Sequence, residues 1–188
     1  MEKYKPKLIL ITGGARSGKS SFAESLAQKM SENISYIATA QALDEEMRER
    51  ITEHRKRRPK NWKTYEEPEQ VDGIIQEIGA KAEVIIIDCM ALLISNLISD
   101  YNEESSRDIF TFKIEEKIEH IIEASLECQA TVIIVSNEVG SGLVPTNHIG
   151  RFYRDMLGKA NQRIASHSDL VYFMVAGIPL LIKGNKDE

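Results

Sequence analysis

Gly13-Gly14-Ala15-Arg16-Ser17-Gly18-Lys19-Ser20 follows directly on the apolar run Leu8-Ile9-Leu10-Ile11 and leads into Phe22-Ala23-Glu24-Ser25-Leu26, which has the character of a helix. The stretch fits G-x-x-x-x-G-K-[ST] in the strand, loop and helix setting that this pattern needs. Its glycines let the backbone curl until several N–H groups and the positive end of the following helix face one anion, while Lys19 adds a full charge and Ser20 a hydroxyl for Mg²⁺. These eight residues read as a phosphate-binding loop, and the chain as an α/β protein that binds a nucleoside triphosphate.

The rest of the chain repeats the same alternation. Apolar, β-branched runs recur at residues 8–12, 34–38, 84–88, 131–136 and 170–175, with helix-length segments between them. That is the pattern of a mostly parallel sheet covered by helices on both faces. Ligands on such sheets bind beyond the carboxyl ends of the strands, where the loop, Thr39, Asp88 and Asn137 would emerge together. Residues 55–68, charged and carrying Pro59 and Pro68, read as a loop, and so do residues 140–145.

The 188 residues suit one domain, taken here as 1–188. Hydrophobic residues at 42% and charged residues at 28% are ordinary for a folded enzyme and argue against extended disorder. A net charge of -5 gives no basis for non-specific binding to nucleic acid. Cys89 and Cys128 show no C-x-x-C spacing, which removes support for a zinc or dithiol site and leaves two buried, reduced thiols as the expectation. The N-terminus leads into an apolar run too short for a signal-peptide core, and no later run has the length of a membrane span, so the protein is expected to be cytoplasmic.

Asp88 ends the run Val84-Ile85-Ile86-Ile87. With the loop upstream it reads as the carboxylate that orients Mg²⁺, directly or through water, although an aspartate there also serves as a turn former. Leu43, Met47 and Ile51 recur at helical spacing across residues 44–57, with acids in the first turn and Arg55, Lys56, Arg57 and Arg58 at the end, which complements the helix dipole. His54 lies beside that stripe. One reading is a packing histidine; the other is a nucleophile, since clustered cations hold phosphates and disfavour the imidazolium, leaving a ring nitrogen able to attack phosphorus. Asn137, Glu138 and Arg154 are open between shaping a substrate cleft and holding the loop, and His120, His148 and His167 read as surface or packing residues.

Several blocks in this order resemble one family. They are the loop at residues 13–20, Tyr36-Ile37-Ala38-Thr39-Ala40-Gln41, Asp44-Glu45-Glu46-Met47 with Arg50-Ile51 and His54, Arg58-Pro59 with Trp62, Thr64, Glu66 and Pro68, then Asn137-Glu138-Val139-Gly140 with Gly142 and Val144-Pro145, and Arg154-Asp155 with Gly158 and Asn161-Gln162. Across nearly the whole chain this is similar to the bifunctional adenosylcobinamide kinase/adenosylcobinamide-phosphate guanylyltransferase (CobU/CobP) family. The resemblance implies a three-layer P-loop NTPase fold of the RecA-like kind and a homotrimer. It implies phosphorylation of adenosylcobinamide by GTP or ATP, then transfer of GMP from GTP to adenosylcobinamide phosphate through a guanylylated histidine, with Mg²⁺ held by Ser20 and Asp88. His54 falls on the nucleophile position. The nucleotide contacts carried over are Gly13, Gly14, Ala15, Arg16, Ser17, Gly18, Lys19, Ser20, Thr39, Ala40, Gln41, Arg55, Lys56, Arg57, Arg58, Glu66 and Asp88. Glu53 precedes the histidine at a position where the family varies, and its charge opposes Arg55 and Arg58. A plain phosphate-loop kinase and a nucleotide-dependent switch protein are the rival readings.

Overall fold

The computed structural model describes residues 5–99, 101, 102, 104 and 106–185, the side chains of Arg50 and Arg57 excepted. Seven strands, β1 (Leu8–Gly13), β2 (Ile34–Ala38), β3 (Lys63–Glu66), β4 (Val84–Asp88), β5 (Thr131–Val135), β6 (Leu170–Val175) and β7 (Ile178–Lys183), form one sheet in the order β3-β2-β4-β5-β1-β6-β7. All adjacent pairs are parallel except β6 and β7. The helices are α1 (Lys19–Met30), α2 (Glu45–Arg57), α3 (Val71–Ile78), α4 (Met90–Leu97), α5 (Arg107–Glu127) and α6 (His148–His167).

Every residue of β1 and β5 is buried, and β2 and β4 are buried except at their last residue. Strands covered on both faces need apolar side chains on both, which is why these four run as largely unbroken apolar segments rich in Val, Ile and Leu. α1 packs on β1, β4 and β5; α3, α5, α6 and α4 lie against one another, with α3 on β2 and α6 on β1. All five strands expected from the apolar runs are present, with ends shifted by no more than one residue.

One segment departs from the sequence reading. Residues 55–68 are not simply a loop: α2 continues through Arg57, and Lys63–Glu66 pairs in parallel with β2 as an edge strand. Only Tyr65 in that strand is even partly buried, so it carries no apolar run that could reveal it. At the other edge β7 returns antiparallel through Ala176 and Gly177 with φ of 50° and 82°, the left-handed pair that a two-residue hairpin turn requires. Cys89 is buried, whereas Cys128 is only partly so, and both are free thiols. Among the described residues no helix is long and apolar enough to cross a membrane.

Candidate active site

The phosphate loop joins β1 to α1. Gly13 adopts φ 149°, and a Cβ there would lie 2.5 Å from the Met174 carbonyl oxygen; Gly18 adopts φ 94°. Both positions demand glycine, one through close backbone approach and the other through conformation. α1 begins with no side-chain cap and no acidic residue in its first turn, so its N-terminal N–H groups and positive dipole end are left for an anion. Lys19 is buried, and its Nζ donates to Gly14 O at 2.7 Å. Burial lowers its pKa, opposed by Cys89 and the Asp88 carboxylate. Neighbouring elements fasten the loop: Glu138 N–H donates to Gly13 O (2.9 Å) and Gly177 N–H to Ser17 O (3.0 Å). The Thr12 and Ser17 hydroxyls are buried with no hydrogen-bond partner among the described residues, an expense that a phosphate oxygen at this loop would offset.

The loop forms one wall of a crevice of about 670 Å³ whose lining includes Asp88, Ala40, Asn137 and the inward face of α2. No described side chain of α2 is fully buried. Its half-buried positions, Met47, Ile51 and His54, face the crevice and not the core. Asp44 caps the helix by accepting the Met47 N–H at 2.7 Å. At the other end, His54 Nδ1 lies 3.8 Å from Asp88 Oδ2, and Arg55 is ion-paired with Glu66 on β3. The guanidinium of Arg58 sits 3.6 Å from the centre of the Tyr36 ring. Tyr36 is wholly buried, yet its hydroxyl donates to Asp88 Oδ2 at 2.5 Å; burial, and next the Asp88 charge, raise its pKa well above that of an ordinary phenol and keep it a donor.

Of the residues expected to contact nucleotide, Ala15 to Ser20, Ala40, His54, Arg55, Arg58, Glu66 and Asp88 meet in this crevice. Gly13 and Gly14 shape the loop from behind. Thr39 is completely buried and spends its hydroxyl on Cys89, donating to its carbonyl (2.7 Å) and accepting from its N–H (2.8 Å), which braces the strand end carrying Asp88. Gln41 and Lys56 do not line the crevice, and the side chain of Arg57 lies outside the described residues. Glu138 bonds the N–H groups of Gly140 and Ser141 and so orders its own loop, whereas Asn137 lines the crevice. Tyr36 is the site residue that sequence reasoning missed: in an apolar β-run a tyrosine reads as core.

Ser20 and Asp88 supply one hydroxyl and one carboxylate, a hard-oxygen set that suits Mg²⁺ when phosphate oxygens and waters complete the shell. Among the described residues no group of three or more His, Cys, Asp or Glu could hold a metal by itself. A second groove, about 770 Å³ between α5 and α6, is crossed by the ion pairs Lys159–Glu115 and Arg163–Glu119, which neutralise each other.

Comparison with known proteins gives the family and the fold. Residues 9–182 match the family described as cobinamide kinase / cobinamide phosphate guanyltransferase. The bifunctional adenosylcobalamin biosynthesis protein CobU of Escherichia coli (strain K12) is 39% identical over 181 residues, covering 94% of this chain and 99% of its own. The corresponding protein CobP of Pseudomonas aeruginosa is 40% identical over 175 residues, 93% and 96% of the two chains. Among solved structures, a helicase ATPase domain superposes with a TM-score of 0.56 at 14% identity, covering 98% of this chain and 80% of that one. The RadB recombinase superposes at 0.54 and 11%, covering 98% and 84%. At such identities the structural likeness bears on fold alone, which is the three-layer, RecA-like P-loop NTPase arrangement.

Proposed function

The chain belongs to the cobinamide kinase / cobinamide phosphate guanyltransferase family, and from that membership we propose how one crevice in one domain carries both of that family's reactions. The protein is a bifunctional enzyme of adenosylcobalamin biosynthesis that phosphorylates cobinamide and then guanylylates the product. In this reading the donor for guanylyl transfer is GTP, ATP or GTP feeds the kinase step, and His54 carries GMP between GTP and adenosylcobinamide phosphate.

The observation that carries this reading is the seating of His54 over Asp88, in the same crevice as the phosphate loop. With Nδ1 facing the carboxylate at 3.8 Å, Nε2 is assigned in this reading as the nucleophilic atom. It attacks the α-phosphorus, an N–P bond forms, and the P–O bond to pyrophosphate breaks. The corrinoid phosphate then attacks the same phosphorus, the N–P bond breaks and the imidazole is released, which divides one hard substitution into two easier ones. Lys19 and the N–H groups of the loop take up charge on the leaving phosphates. Magnesium, held by Ser20 and Asp88, would neutralise charge on the phosphate oxygens. Phosphoryl transfer needs positioning and charge stabilisation without a covalent partner, so it draws on the loop and not on His54.

A homotrimer located in the cytoplasm completes the proposal. Two free thiols suit a reducing compartment. Ile178, Leu180 and Ile182 expose apolar side chains along edge strand β7, which favours association over a free monomer.

The test is His54→Ala incubated with [α-³²P]GTP and Mg²⁺. Label on protein falls to background, while kinase kcat on adenosylcobinamide stays within about threefold of wild type. Persistent acid-labile label on the variant would remove His54 from the nucleophile role.

A further inference from the structure

Tyr36 sits in β2 opposite Ile86, and Ala38 sits opposite Asp88. Residues two apart on a strand share a face, so Tyr36 and Asp88 project to the same side of the sheet. Ala38, the next residue on that face and level with Asp88, offers no bulk, which lets the ring run along the strand to the carboxylate. The hydroxyl bonds Oδ2 of Asp88, the oxygen that also faces His54 Nδ1. The ring has a second use: Arg58 lies over it at 3.6 Å, and Trp62 stacks with it at 6.3 Å between centroids. His54 lies four residues before Arg58, the cap that ends α2, so a single buried side chain meets that end directly at Arg58 and, through Asp88, lies next to His54.

We propose that Tyr36 is a positioning residue for guanylyl transfer: its hydroxyl holds Asp88 Oδ2 beneath His54, and its ring holds Arg58, so that together they seat the nucleophile-bearing end of α2. The inference rests on the His54 reading above. A carboxylate at a strand end turns about its side-chain torsions unless something holds it, and His54 Nδ1 lies 3.8 Å from that carboxylate. Tyr36 bonds the Asp88 oxygen that faces His54 Nδ1, so losing the hydroxyl disturbs the histidine more than the phosphate grip.

Tyr36→Phe and Tyr36→Leu separate the two contacts. Tyr36→Phe keeps the ring and loses the hydroxyl. Its single-turnover rate of His54 labelling by [α-³²P]GTP falls about 10- to 100-fold, the scale of a small misplacement, with GTP KM and kinase kcat within about threefold of wild type. Tyr36→Leu loses both contacts and additionally raises GTP KM, because Arg58 is no longer held. Rates are normalised to titrated nucleotide sites, so a partly unfolded preparation does not mimic the effect. Wild-type labelling by Tyr36→Phe overturns the inference, and so does an equal loss of labelling and kinase activity, which marks a merely structural tyrosine. His54→Ala, run in parallel, separates the two failures: label on His54→Ala sinks the nucleophile reading itself, whereas label lost there but unchanged in Tyr36→Phe sinks only the role of Tyr36.

Discussion

Lys19 is buried and donates a hydrogen bond to a carbonyl of its own loop. Desolvation disfavours its charge, and the Asp88 carboxylate helps to retain it. A bound triphosphate would offer that ammonium a stronger partner, anionic and rich in acceptors. In the proposed reading one loop grips the triphosphate in each of the two reactions, so Lys19→Ala should lower both by about 10²-fold or more. Steady-state assays of kinase and guanylyl transfer on the same preparation check this, and a variant that retained either at the normal rate would point to separate nucleotide sites. Lys19 was legible because its motif is local. Tyr36 was not, because its meaning depends on register with a strand about fifty residues away, which places an acid at the tip of its ring. Thr39 differs again: its position beside the crevice was readable, but its hydroxyl turns inward to Cys89.

The elements that reach the solvent are the ones whose sequence said least. β1, β2, β4 and β5 announce themselves because a strand covered on both faces must be apolar throughout. β3 lies at the edge with its side chains mostly in water, so Lys63-Thr64-Tyr65-Glu66 carries no periodic signal, and only pairing with β2 makes it a strand. α2 was readable as a helix from its cap and charges but not in its setting, for its apolar stripe faces a crevice and buries no described side chain fully. Its attachment is made by polar and cation–π contacts at its C-terminal end, near Asp88, Glu66 and Tyr36. Few buried apolar contacts mean a low free energy of local opening. Amide hydrogen exchange followed by mass spectrometry should therefore find residues 45–57 exchanging well before β1 and β5, and GTP with Mg²⁺ should slow them by ordering the His54 end. Protection of α2 equal to that of β1 in nucleotide-free protein would contradict this account.

At the scale of the molecule, the crevice draws on parts of the chain from the phosphate loop after β1 to Asn137 after β5, including α2, β3 and the end of β4. A ligand there does not tighten one hairpin; it links elements that share a single sheet and core. Binding to the native state alone stabilises by about 2.7 kcal/mol when free ligand stands 100-fold above its Kd. For a chain of this size each kcal/mol moves the melting midpoint by about 2–4 °C. GTP with Mg²⁺ at that excess should thus raise Tm by about 5–11 °C in one cooperative transition, as the two figures multiply. Removing Mg²⁺ with EDTA should shrink the shift, because in the proposed reading Ser20 and Asp88 would then lose the cation that screens the phosphates from the carboxylate. Lys19→Ala should abolish most of it at the same GTP concentration. Differential scanning calorimetry reads all three arms, and a full shift in Lys19→Ala would place the triphosphate elsewhere than this loop.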